Sequence, residues 1–162
     1  MKKESMAVIS TLVGAAVGAL AGGTAVKTLS SKEIGKKNET LDKIHVLYCA
    51  FDRWLQIRQE GRTLAEYFKK NNYKTVAIYG MKELGERLLD ELKNSGITVC
   101  YAIDKNADQL YADVDILTPK DELKPVNVIV VTAIYYFDEI EDMLSEKVDC
   151  PIVSLEDILY EL

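Results

Sequence analysis

Gly80-Met81-Lys82-Glu83-Leu84-Gly85 follows a β-branched and aromatic run, Thr75-Val76-Ala77-Ile78-Tyr79, and precedes leucines at helical spacing. A helix that starts just after a strand presents unpaired amides and the positive end of its dipole, and both attract an anion. In the dinucleotide-binding fingerprint a first glycine makes the turn and a second admits pyrophosphate to the backbone. A third lets helix and strand pack closely, and an acid about 20 residues on bonds the ribose hydroxyls. Gly80, Gly85 and Asp104 hold the first, third and acidic places, whereas Lys82 holds the second. A side chain there either blocks the pyrophosphate or supplies an ammonium to it. The competing reading is that both glycines serve only turn and packing, and that Asp104 merely ends a strand.

The elements around this turn follow from composition. Residues 75–79 predict a short strand buried on both faces. Leu84, Leu88, Leu89 and Leu92 define the inner face of a helix whose Arg87, Asp90, Glu91 and Lys93 face water. Asn94-Ser95-Gly96 is a C-terminal cap, and residues 97–103 form a second strand ending at Asp104. Beyond it, residues 115–117 predict a third strand, and Pro119 suits the first turn of a small helix. Residues 126–132 are the most continuous apolar run of this half and predict a central strand. If the sheet is doubly wound, its exit through Thr132, Ala133, Ile134, Tyr135 and Tyr136 comes close to the Gly80 turn. A helix at 137–147, a strand at 152–154 and a closing helix capped by Ser154 complete the pattern.

Before this unit, residues 41–57 predict a helix with two adjacent apolar rows. One is Leu41, Ile44, Tyr48, Phe51 and Leu55; the other is Leu47, Ala50, Trp54 and Ile57. Barely two heptads are too few for a coiled coil alone, so packing against the following unit or a partner chain is expected. Trp54, at helical spacing among apolar residues, reads as core rather than as a ligand-stacking ring. A short helix with Leu64, Tyr67 and Phe68 inward fills residues 62–72.

Residues 6–26 carry no charge, and 21 residues make about 31 Å of helix, enough to cross a bilayer core. Gly14, Gly18 and Gly22 recur every fourth residue, a pattern that lets helix backbones approach and favours homo-oligomers in the membrane. A signal peptide is the competitor, because Lys2-Lys3 precedes the segment and Ala19-Leu20-Ala21 resembles a cleavage site. The retained anchor is favoured, since the uncharged run exceeds the usual length of a signal core. Lys27, Lys32, Lys36, Lys37 and Lys43 follow the segment and only Lys2 and Lys3 precede it, which places the C-terminal side in the cytoplasm. The expected organisation is a membrane anchor at 1–30, a helical linker at 31–72 and a nucleotide-binding domain at 73–162, in a single-pass protein of the cell membrane.

Charge and cysteine usage exclude other classes. Residues 73–162 hold 8 Lys and Arg against 19 Asp and Glu, a net of −11 that repels nucleic acid. Cys49, Cys100 and Cys150 lack metal spacing, and His45 is the only histidine, so neither a zinc site nor a Cys-His dyad is expected.

Ala77 through Gly85, Ile103-Asp104, Val130-Val131-Thr132-Ala133 and Ser154 through Ile158 together resemble a bacterial Rossmann-like domain of polysaccharide-biosynthesis proteins. That group includes the N-terminal domains of nucleotide-sugar epimerase/dehydratases and accessory domains of capsular glycosyltransferases. The resemblance spans about residues 50–162. It implies an α/β fold with a parallel sheet ordered 3-2-1-4-5 and a glycosyltransferase as partner. It also implies a pocket for NAD(P) or a nucleotide-sugar formed by Gly80, Met81, Lys82, Glu83, Leu84, Gly85, Asp104, Lys105, Thr132 and Ala133. Lys82 departs from the family's usual glycine, which counts against ordinary NAD binding.

Catalytic residues are not evident. Dehydrogenases of the short-chain type use a Tyr-x-x-x-Lys pair on one helix, where the lysine lowers the tyrosine pKa. The match here, Tyr101 with Lys105, runs along a strand and past its end, where residues four apart stand roughly 13 Å from each other. The sequence therefore predicts a membrane-anchored binding or accessory module. An enzyme acting with NAD(P) or on a nucleotide-sugar, and a purely structural adaptor, are the alternatives.

Overall fold

The structure is a computed structural model and describes residues 34–162. The 6–26 segment, with Gly14, Gly18 and Gly22, lies outside that range. Among the described residues no helix is long and apolar enough to cross a membrane. The chain divides into two compact units, Met1–Ile44 and His45–Leu162. In the first, residues 34–44 are helical, and Lys43 pairs with Glu39 at 2.6 Å one turn away.

In the second unit, α1 (residues 45–59), α2 (Ala65–Lys70), β1 (Thr75–Tyr79), α3 (Glu83–Leu92), β2 (Thr98–Ile103), β3 (Ile116–Leu117), β4 (Val128–Val131), α4 (Phe137–Ser145), β5 (Ile152–Ser154) and α5 (Leu155–Glu161) follow in order. All strands pair in parallel, in the order β3-β2-β1-β4-β5. This is the α/β architecture read from the sequence, with the strand order that the family resemblance implies. β1 pairs with β2 on one side and β4 on the other, so the order reverses at the β1–β4 boundary.

Alternation along the strands divides the core. Val76, Ile78, Ala102, Val128 and Val130 face the side covered by α1, α2, α3 and α5. Ala77, Tyr79, Tyr101, Ile103, Ile129 and Val131 face α4, which contributes Ile140 and Leu144. β4 is buried at all four positions, as its uninterrupted apolar run requires. Ala50, Trp54, Ile57, Leu64 and Phe68 belong to the same cluster as β1, so residues 45–70 share the core of the sheet.

Three local readings change. The helix predicted to start at 41 is already present at 34. The small helix expected after Pro119 is a turn, in which Asp121 accepts the Thr118 amide at 2.6 Å and donates its own amide to the Thr118 carbonyl. Pro125 explains the difference, because the residue before a proline is driven out of the helical region and leaves too little chain for a helix. Glu91, expected in water, has a side chain only 12 % exposed and faces α1 and α2.

Other boundaries follow the sequence closely. Asn94 and Gly96 adopt φ of 61° and 87° after α3, a left-handed exit that asparagine and glycine tolerate best. Ser154 Oγ accepts the Glu156 amide at 3.2 Å and caps α5.

Candidate functional site

β1 delivers the chain to Gly80 at the carboxyl end of the sheet. Gly80 has φ of 95°, and its amide donates to the Ile103 carbonyl at 2.8 Å, extending the β1–β2 ladder by one bond. A Cβ on Gly80 would stand 2.9 Å from Thr132 Oγ1, so the turn also needs glycine for space. Two residues into α3, a Cβ on Gly85 would lie 2.0 Å from the Gly80 carbonyl oxygen. Helix and strand approach here more closely than any side chain permits, which is the packing role of the fingerprint's third glycine.

Thr132 leaves β4 beside this corner. Its amide donates to the Tyr79 carbonyl at 2.9 Å, and its hydroxyl lies 2.6 Å from the Gly80 carbonyl and 3.1 Å from that of Tyr79. With one proton to give, the hydroxyl donates to the nearer oxygen. The Cβ added at Gly80 would stand 3.4 Å from the Ala133 amide nitrogen. The fold thus brings Gly80, Gly85, Thr132 and Ala133 together.

Asp104 is 7 % exposed, and both its oxygens are in use. Oδ2 accepts the Met81 amide at 3.0 Å and Oδ1 accepts the Asn106 amide at 2.9 Å. The acid braces the turn from beneath. Met81 is 2 % exposed and packs inward, whereas Lys82, Glu83 and Lys105 are solvent-exposed. Lys82 stands at the N-cap position of α3 in extended conformation, with no side-chain cap on the helix. The first amides of α3, from Glu83 to Gly85, precede the point where the ladder closes with Glu86 N–H to Lys82 C=O at 2.9 Å.

Two aromatic residues extend this edge. Tyr135 and Tyr136, about 40 % exposed, follow Ala133 with ring centroids 5.2 Å apart in an edge-on pair. In β1, Tyr79 is buried on the α4 side of the sheet, and its hydroxyl has no hydrogen-bond partner among the described residues. Burial first, and then the negative charge of Asp104, raise its pKa above the ordinary tyrosine value. No periodicity in the sequence marks this phenol, because a tyrosine in an apolar strand reads as core.

Tyr101 and Lys105 do not form a catalytic pair. The phenol is buried on the α4 side and donates to the Lys124 carbonyl at 2.6 Å, and burial pushes its pKa to about 12. Among the described residues no group of three or more His, Cys, Asp or Glu is placed to hold a metal, and the three cysteines are unpaired.

A second polar constellation sits on the α1 side of α3. Glu91 accepts Trp54 Nε1–H at 2.6 Å and the Leu64 amide at 2.7 Å, and Arg58 approaches it at 3.8 Å. This carboxylate joins α1, the start of α2 and α3. A shallow groove of about 520 Å³ opens beside it, between Phe51, Leu55 and Arg58 of α1 and Arg87 and Asp90 of α3. No residue of the Gly80 corner lines that groove. Comparison with protein-family models, curated proteins and solved structures finds no match for this chain.

Proposed function

We propose that this chain is a membrane-anchored, Rossmann-like module that binds a nucleotide or nucleotide-sugar at the Gly80–Gly85 turn and serves cell-surface polysaccharide biosynthesis. The observation that carries this reading is the start of α3. Its first amides have no side-chain cap, and they open at the carboxyl end of β1, beside β4, where the strand order reverses. In open α/β sheets ligands bind at that switch point, and a helix N-terminus favours phosphate. The exposed ammonium of Lys82 adds a cation to the same edge, and the Tyr135–Tyr136 pair offers a surface for a base or sugar. The pathway rests on the sequence resemblance, and the anchor on the uncharged run at 6–26.

Asp104 favours a second reading. Because both its oxygens hold backbone amides, a ribose hydroxyl must share an acceptor already engaged. A structural adaptor would need the corner only as a brace. Thermal unfolding with NAD, NADP, UDP and UDP-sugars separates the two. A binder gains about 2.7 kcal/mol at a hundredfold excess of ligand over its dissociation constant. An adaptor gains nothing from any of the four.

A further inference from the structure

Tyr79 carries a polar group that its surroundings leave unsatisfied. The residue is 3 % exposed, and its buried hydroxyl has no hydrogen-bond partner among the described residues. A buried hydroxyl without a partner costs free energy, whereas phenylalanine would fill the same space without that cost. Packing alone therefore does not account for the oxygen.

Its position in the sheet does. Tyr79 is the last residue of β1, in register with Ile103 of β2 and Val131 of β4, and all three side chains lie on the α4 face. From that level β1 departs through Gly80 toward α3 on one face, while β4 departs through Thr132 and Ala133 toward α4 on the other. The two exits diverge beside Tyr79, and such a divergence is where open α/β sheets take their ligands. Ala133 and Phe137, from the β4 exit, pack against the cluster that contains Tyr79, and the charge of Asp104 at the end of β2 reaches the phenol.

We infer that the Tyr79 hydroxyl is the polar contact for a ribose hydroxyl of the nucleotide, the role that Asp104 cannot fill while both its oxygens hold backbone amides. The assignment rests on nucleotide binding at the Gly80–Gly85 turn. A phosphate belongs at the α3 amides, and the negative charge of Asp104 disfavours a second anion beside the phenol. An alcohol suits that place, since it both gives and accepts a hydrogen bond and carries no charge. Because the phenol is buried, contact requires a local opening. The Ile134–Tyr136 turn, without a buried residue, is the part of the β4 exit that resists it least.

The test is isothermal titration of the full chain in detergent, as wild type and as Tyr79→Phe, with UDP and with its dideoxy analogue, which lacks both ribose hydroxyls. Wild type should bind the analogue about tenfold more weakly than UDP, and Tyr79→Phe should bind both alike at the weaker value. Without ligand the variant should unfold about 3 °C above wild type, because an unpaired hydroxyl has left the core. Equal affinity of wild type for the two compounds, or a variant that keeps the preference for UDP, overturns the assignment. So does a variant that unfolds no higher than wild type, which would mean that the phenol is already bonded in the free protein. In each of these cases UDP still binds and the reading of the Gly80–Gly85 turn survives, whereas a wild type that binds neither compound removes that reading and the ribose contact together.

Discussion

The two ends of α3 each rest on a carboxylate held by two hydrogen bonds, yet they leave the helix in different states. Near its C-terminus Glu91 takes its bonds from Trp54 and Leu64, which belong to other elements, and so joins three helices. At its N-terminus Asp104 takes its bonds from Met81, on the approach to the helix, and from Asn106, in the loop after β2, and the helix itself has no side-chain cap. The first acid completes a packing interface. The second shapes a turn and leaves donors available above it. Binding chemistry is therefore expected at one end only, although both ends contribute to stability.

Gly85→Ala attacks that contrast hardest. Its Cβ would meet the Gly80 carbonyl oxygen at 2.0 Å, and backbone cannot yield as a flexible side chain does. A loss of about 3 kcal/mol or more in denaturant unfolding is expected. A near-neutral result would show that helix and strand separate easily. Glu91→Ala comes next at about 3 kcal/mol, because the Trp54 indole and the Leu64 amide both lose a charged acceptor. Its nucleotide response, measured by thermal shift, should equal that of wild type. Asp104→Ala should cost about 2 kcal/mol and also diminish the nucleotide response, since the amides of the turn lose their brace. Equal ligand responses in the Glu91 and Asp104 variants would erase the proposed difference between the ends.

Much of this was legible before any coordinates. The bounds of β1 and β5 and the Ser154 cap follow from strand composition and from punctuation by glycine and asparagine, whereas the strand order is what the family resemblance implies. Gly85 was legible as a packing glycine because its spacing from Gly80 places it in the first turn of a helix. Glu91 was not. It borders the apolar stripe of α3, and a helical pattern cannot tell an edge carboxylate in water from one turned toward Trp54, thirty-seven residues away. The same limit hid which row of α1 would be covered, since both rows are apolar and only tertiary packing separates them. Asp104 was legible as an acid at a strand end, but its double engagement by Met81 and Asn106 depends on the path of the turn. The segment after Pro119 is a turn rather than a helix because the influence of Pro125 outweighs the helix-forming residues between the two prolines.

Two smaller effects calibrate the comparison. Tyr101 lies on the α4 side of the sheet and concerns neither end of α3. Its pKa is raised to about 12 by burial, against about 10 in an unfolded chain. The stability it contributes is complete below pH 10 and is lost as pH rises from 10 to 12, because the unfolded chain ionises first. Tyr101→Phe should remove that window and cost about 1 kcal/mol at neutral pH through the lost bond to Lys124. Denaturant titrations at several alkaline pH values provide the readout. Lys82→Gly should change stability by about 0.5 kcal/mol or less, since the side chain is exposed and caps nothing. Isothermal titration should nevertheless show nucleotide affinity falling about fivefold, or ~1 kcal/mol, as the cation beside the phosphate is lost. A rise in affinity would mean that the lysine obstructs the turn.

The most direct test follows the backbone amides of the uniformly ¹⁵N-labelled full chain during titration with UDP. Saturable shifts at Glu83, Leu84 and Gly85, with the Leu64 amide and the Trp54 indole unmoved, are the predicted result. Amides at the start of α3 that stay still throughout the titration would contradict the account and leave the Gly80 corner as a structural brace.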